Sequence, residues 1–185
     1  MVPLAALWMP IVLSAIFVFI ASSIMHMFLP YHRSDYRALP KEQEALTFLR
    51  RLGLTRGIYI FPFCSQKEMK SPAMVEKYKL GPVGMMTVFP SEPPAMPKFL
   101  GMWFLFCLLV GVFVAYLCAH TLHPGTPYRA VFRVAGTVGF MAYGLGRFVD
   151  AIWRGATWSM TIKEVIDGLV YGLLTAGTFG WLWPR

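Results

Sequence analysis

His26, His32 and Asp35 form an H-x5-H-x2-D pattern and carry the side chains best suited to hold a metal ion. Imidazole and carboxylate donors suit several divalent metals, and the thioethers of Met25 and Met27 beside His26 lean toward Cu(I). The spacing alone does not bring the donors together, because Pro30 interrupts any helix that carries His26. A second ionisable group comprises Arg147, Asp150, Glu164 and Asp167. Its natural pairings are Arg147 with Asp167 or with Asp150, either as an interfacial ion pair or as a step in an ion pathway.

Signatures of covalent or phosphate chemistry are missing. No G-x-S-x-G, H-E-x-x-H, Walker A or G-x-G-x-x-G stands in a fitting context. Gly144-Leu145-Gly146 lies inside an apolar run rather than after a strand. No enzyme class follows from the sequence, which reads as non-catalytic. The cysteines Cys64, Cys107 and Cys118 make no disulfide framework, since the last two fall on one helix about 16 Å apart by helical rise.

The elements that must position these groups are made for oil. The chain is 57% hydrophobic and only 14% charged, with a mean hydropathy of +0.56, whereas soluble domains are about 25% charged. Four apolar stretches are each long enough to cross a bilayer: residues 1–30, 99–120, 128–150 and 164–183. The backbone amides of such runs need internal partners in a bilayer, which favours helices. The expected fold is an all-α integral membrane four-helix bundle, with a small α/β cytoplasmic cap (31–98) inserted between the first two spans and the last three spans within 99–184. His120 and His123 then fall at the opposite membrane face from His26, so haem held between transmembrane histidines is disfavoured and no other cofactor is indicated.

The net charge of +8 is unevenly placed. Eleven of the seventeen Lys and Arg residues lie between 31 and 98, and Arg147, Arg154 and Lys163 join them in the third connection. Only Arg129, Arg133 and Arg185 fall on the other side. The positive-inside rule therefore puts the cap in the cytoplasm and both termini outside, and this distribution points to lipid rather than nucleic acid as the partner. The first ten residues lack Lys and Arg and no cleavage site stands out before Pro30, so the first span reads as retained.

Within the cap, the pattern predicts helices at about 41–52 and 72–80 and strands at about 57–63 and 83–89. Ala45, Phe48, Leu49 and Leu52 form an apolar stripe expected to pack on the cap's own core, with the membrane surface as the other choice. Thr161 and Glu164 fit a capping box opening the last span. Small residues recur every four positions at Gly168, Gly172, Ala176 and Gly180, at Gly111 and Ala115, and at Ala135 and Gly139. Such ridges let helix backbones approach closely, within the bundle or against another subunit or a second copy.

GPVGMMTVFPSEPP (residues 81–94), DGLVYGLLTAGTFGWLWP (167–184) and HMFLPYHRSDY (26–36) together resemble a family of small multi-pass bacterial membrane proteins without an assigned activity. The resemblance implies the bacterial cytoplasmic membrane and one shared architecture, and it transfers no catalytic residue. Two functions are expected. The first is a non-catalytic accessory or scaffold subunit of a larger membrane complex. The alternative is a small transporter or a metal- or ion-binding protein using His26, His32, Asp35 and the charged group at the cytoplasmic ends.

Overall fold

The computed structural model describes residues 2–185. It is mostly helical with one small two-stranded sheet. The chain divides into two compact units, residues 37–94 and the remainder.

The larger unit is built from four long helices: α1 (Trp8–Ser23), α4 (Met96–Thr121), α5 (Tyr128–Tyr143) and α7 (Trp158–Trp181). They pack in a ring, α1 against α4 and α7, and α5 against α4 and α7. Two helical segments, Leu4–Phe28 and Met96–Thr121, are long and apolar enough to cross a membrane, each with a mean hydropathy of 2.5. The other two fall short of that standard. α5 stops after 16 residues, and α7 carries Lys163, Glu164 and Asp167 in its first half.

Inside the ring the helices bury small residues. α4 buries Cys107, Gly111, Ala115 and Ala119 on one side and turns Leu105, Leu109, Phe113 and Tyr116 outward. α7 buries Gly168, Tyr171, Gly172, Thr175, Ala176 and Phe179. The glycine ridges are used up by these contacts. A Cβ on Gly172 would fall 2.8 Å from the Phe140 backbone nitrogen, one on Gly139 would fall 3.2 Å from the Gly172 Cα, and one on Gly111 would fall 3.2 Å from Ile11. Gly180 lies against the Tyr128 ring in the same way, at 2.7 Å.

The third predicted helix is broken. α5 ends at Tyr143, a 3₁₀ turn runs Leu145–Arg147, and a short α6 (Phe148–Trp153) follows. The cause lies across the bundle: a Cβ on Gly168 would come 2.4 Å from the Gly144 Cα, so the two backbones touch where the helix gives way. The last helix also opens earlier than the capping box implied. Thr157, just after Gly155 (φ +75°), is the N-cap and accepts from the Met160 amide at 3.3 Å. Thr161 is instead buried. The first helix widens at its end into a π turn, Ile24–Phe28, and Pro30 opens a 3₁₀ turn through Ser34. Proline suits that first position because its missing N–H has no partner to lose there.

The smaller unit comprises α2 (Glu42–Arg51), β1 (Gly57–Phe61), α3 (Pro72–Leu80) and β2 (Gly84–Val88). The strands pair antiparallel, from Gly57 opposite Val88 to Phe61 opposite Gly84. Ser71 caps α3 by accepting from the Met74 amide at 3.3 Å, with Pro72 in the first turn. The apolar stripe of α2 does not find the core expected for it. Phe48 is 62% and Leu52 52% exposed, and Met74 is the one buried apolar residue among those described in this unit. A two-stranded ribbon offers too little apolar surface to cover a helix.

Candidate functional site

The π turn and the Pro30 turn fold the chain back at the end of the first helix, so His26 and His32 stack with ring centroids 4.5 Å apart. A π turn inserts an extra residue and re-aims side chains, and such turns recur at functional sites. From α7, Asp167 reaches the same point, with only 2% of the residue exposed. Tyr31 donates its hydroxyl hydrogen to Asp167 Oδ1. Asp167 Oδ2 lies 2.8 Å from His32 Nε2 and 3.8 Å from His26 Nε2.

Asp35 and Lys163 stand behind this group and hold His32 in place. His32 Nδ1 is 2.6 Å from Asp35 Oδ2, and Lys163 donates to Asp35 Oδ1 at 2.6 Å. Lys163 also donates to the Tyr31 carbonyl at 2.6 Å and to the Ser34 hydroxyl at 2.8 Å, pinning the turn that carries His32. Burial on its own pushes the Asp35 carboxyl up, but the hydrogen bonds from Lys163 and His32 outweigh it and hold Asp35 below the usual carboxylate range. Burial, with the adjoining Asp167 carboxylate, raises the Tyr31 phenol, so Tyr31 remains a donor.

The hydrogen-bond inventory fixes what the histidines offer. His26 Nδ1 lies 3.0 Å from the Ser22 carbonyl oxygen, which can only accept, so Nδ1 carries a proton and Nε2 is the nitrogen that presents a lone pair in the neutral ring. His32 faces a carboxylate oxygen at each nitrogen. Lys163 pairs with Asp35, whereas Asp167 is met by Tyr31 and His32. A proton or a metal ion at His32 Nε2 would place a positive charge beside Asp167. His26 Nε2, His32 Nε2 and an Asp167 oxygen all lie within 4.8 Å of one another; because the two rings stack nearly parallel, with their in-plane lone pairs side by side, a shared ion requires one imidazole to rotate toward it.

Of the residues singled out from sequence, His26 and His32 come together, but their carboxylate is Asp167. Asp35 stands on the far nitrogen of His32 and orients it. Arg147 does not pair with Asp167; it lies 3.9 Å from both Asp150 and Glu164, while Arg154 contacts Asp150 at 3.0 Å. Met25 packs against the bundle core, whereas Met27, and Met96 from α4, line the same cavity as His26. Tyr31 and Lys163 escaped the sequence reading. Lys163 and Asp167 stand four apart on one helix, which places both on one face, and that spacing was the available signal.

Of the cluster, His26 and Asp167 line a cavity of about 600 Å³. Trp103, Tyr143 and Tyr171 line it as well, with ring centroids 5.7–6.2 Å apart, Tyr171 one turn beyond Asp167 on α7. Trp103 is fixed by donating its indole hydrogen to the Ser22 hydroxyl at 2.8 Å. Comparison with family models, with characterised proteins and with solved structures returns no match for this chain.

Proposed function

We propose that the chain is a multi-pass membrane protein that binds a divalent transition-metal ion through His26, His32 and Asp167. Four spans, with the basic cap in the cytoplasm and both termini outside a bacterial inner membrane, make up its topology. The outward Leu, Phe and Tyr side chains of α4 support an apolar solvent around the bundle. The Lys/Arg distribution supports the sidedness. Snorkelling lets the charged start of α7 and Arg147 reach the membrane surface.

One observation carries the metal reading: His32 is held between two carboxylates, one of them anchored by a lysine. Metal-bound histidines commonly donate their other ring N–H to a carboxylate, which fixes the tautomer and raises ligand basicity. Two imidazoles and one carboxylate, open on one side to a cavity, match sites that keep a position for an exogenous ligand.

The test is elemental analysis of protein purified in mild detergent without added chelator, alongside His26→Ala/His32→Ala. We expect about one equivalent of zinc, iron, manganese or cobalt in the parent and a small fraction of that in the double variant. Equal metal content in both ends the reading.

The accessory-subunit reading has a narrower footing, because the glycine ridges are filled within the chain. The exposed Phe48 and Leu52 on α2 favour it, as a surface where a partner can dock. A stoichiometric partner in a pull-down from native membranes tests it, and a Phe48→Ser variant that retains that partner counts against docking there.

A further inference from the structure

Two features of α2 find no answer within the smaller unit. The first is its apolar stripe, Ala45, Phe48, Leu49 and Leu52, with Gln43 and Thr47 on the opposite side of the helix. The second is a set of cations. At 3.6 residues per turn, Arg50 and Arg51 fall on either side of the stripe. The last turn of a helix suits positive charge. Yet no carboxylate comes within ion-pair distance of Arg50, Arg51 or the following Arg56 among the described residues.

The rest of the unit has no cover to offer. β1 turns Ile58 and Ile60 outward, across from Thr87 and Met85 of β2, and all four are exposed. The bilayer, by contrast, is close at hand. Residues 35–41, seven in number, separate α2 from the turn that ends at Ser34, and such a link spans at most about 25 Å. At its other end the unit runs into α4 at Met96. On the proposed topology the nearest surface is the cytoplasmic leaflet, whose anionic head groups attract Lys and Arg. A protein partner must bring carboxylates and an apolar groove together. The leaflet already sets phosphates above hydrocarbon, the order in which α2 presents arginines beside its stripe.

From these observations we infer that α2 lies along the anionic surface of the cytoplasmic leaflet, with Phe48 and Leu52 among the acyl chains and Arg50 and Arg51 on lipid phosphates. Lipid then covers the apolar face that the unit leaves bare. The inference rests on the membrane reading, with the cap on the cytoplasmic side, and is independent of whether a metal is bound.

The experiment places a nitroxide spin label on the full chain in lipid nanodiscs, one site at a time, through Gln43→Cys, Thr47→Cys, Phe48→Cys or Leu52→Cys. Cys64→Ser is the background, since Cys107 and Cys118 are buried. Access of oxygen, which concentrates in hydrocarbon, is compared with access of a water-soluble nickel chelate. In discs containing phosphatidylglycerol, oxygen is expected to dominate at Phe48 and Leu52 and the nickel chelate at Gln43 and Thr47. Arg50→Gln/Arg51→Gln is expected to lower the ratio of lipid-bound to free α2 about 30-fold, from about 1 kcal/mol for each arginine at tenfold per 1.36 kcal/mol. Discs of phosphatidylcholine alone are expected to lower it likewise. Nickel access at all four sites in the anionic discs overturns the proposal, as does a reading that changes with neither the anionic lipid nor the arginines. Exclusion of both reagents at Phe48 and Leu52 also overturns it and gives the face to a second copy of the chain. Leu109→Cys, outward on α4, separates the two readings. Oxygen dominance there with nickel access at Phe48 ends this inference alone, whereas nickel access at Leu109 ends the membrane reading beneath it.

Discussion

Asp35→Asn tests how His32 is oriented more sharply than removal of either histidine, because Asp35 is not itself a ligand in the proposed site. In the parent, Asp35 Oδ2 faces His32 Nδ1 and Oδ1 faces Lys163, both at 2.6 Å. Asparagine has one oxygen and one NH2. The Lys163 ammonium can only donate, so it takes the oxygen. The NH2 is then left facing His32 Nδ1, and a donor there forces the ring proton onto Nε2. That tautomer still donates to Asp167, 2.8 Å away, so the metal-free network survives. It also occupies the lone pair a metal needs. Outer-shell changes of this kind cost about 10–100-fold in metal affinity, or roughly 1.4–2.7 kcal/mol at 1.36 kcal/mol per decade. Competition between protein and a chromophoric chelator for Zn²⁺ measures this in detergent, and Co²⁺ absorption reports the donor set. We expect a 10–100-fold weaker site in a protein whose thermal midpoint is little changed. Affinity within twofold of the parent refutes the tautomer argument, and an Asp35→Asn protein that fails to fold refutes the claim that its network closes without metal.

Three other outcomes follow from the packing, the ion pair and the topology. Gly168→Ala places a Cβ 2.4 Å from the Gly144 Cα, where neither backbone can yield, and should destabilise by about 1–3 kcal/mol in detergent unfolding. Gly101→Ala, with open space around its Cβ, should stay within about 0.5 kcal/mol. Lys163→Met leaves the Asp35 carboxylate, 4% exposed, without its ion partner and should cost about 3–5 kcal/mol; adding Asp35→Asn should recover much of that loss, and unfolding midpoints of the single and double variants decide it. Cys64 is the only cysteine of the three that is not buried. A membrane-impermeant maleimide should therefore label the chain in permeabilised cells and leave it unlabelled in intact ones, and labelling of intact cells reverses the proposed sidedness.

Local signals served where the cause was local. Ser71-Pro72 marked the start of α3 because a hydroxyl acceptor and a fixed φ are both properties of those two residues. The two most apolar helices and the pairing of two short β-prone runs were likewise readable from neighbouring residues. Where the cause was tertiary, the sequence misled. Residues 128–150 read as one helix, yet Gly144 is pressed against Gly168 and the helix breaks there. The stripe on α2 has the period of a packed face, but period alone does not supply a partner, and Phe48 and Leu52 remain exposed.

The site followed the same division. His26 and His32 were recognisable by type and spacing, but the Asp167 that completes them lies 135 residues beyond His32. No periodicity reaches that far. A stronger constraint was present in the sequence all the same. A carboxylate among apolar residues must be ionised and paired, or protonated and hydrogen-bonded. On the expected topology, the candidate partners at its depth were His26, Tyr31, His32, Arg147 and Lys163. Arg147 had two other carboxylates nearby, Asp150 and Glu164, whereas the histidines had only Asp35 between them. Distributing cations so that every acid is answered assigns Arg147 to Asp150 and Glu164, and turns Asp167 toward the histidines, which is the arrangement observed. Choosing the nearest arginine by charge ignored that Asp35 can use only one side of His32. The free nitrogen on the other side, with the Tyr31 hydroxyl beside it, is where Asp167 is answered.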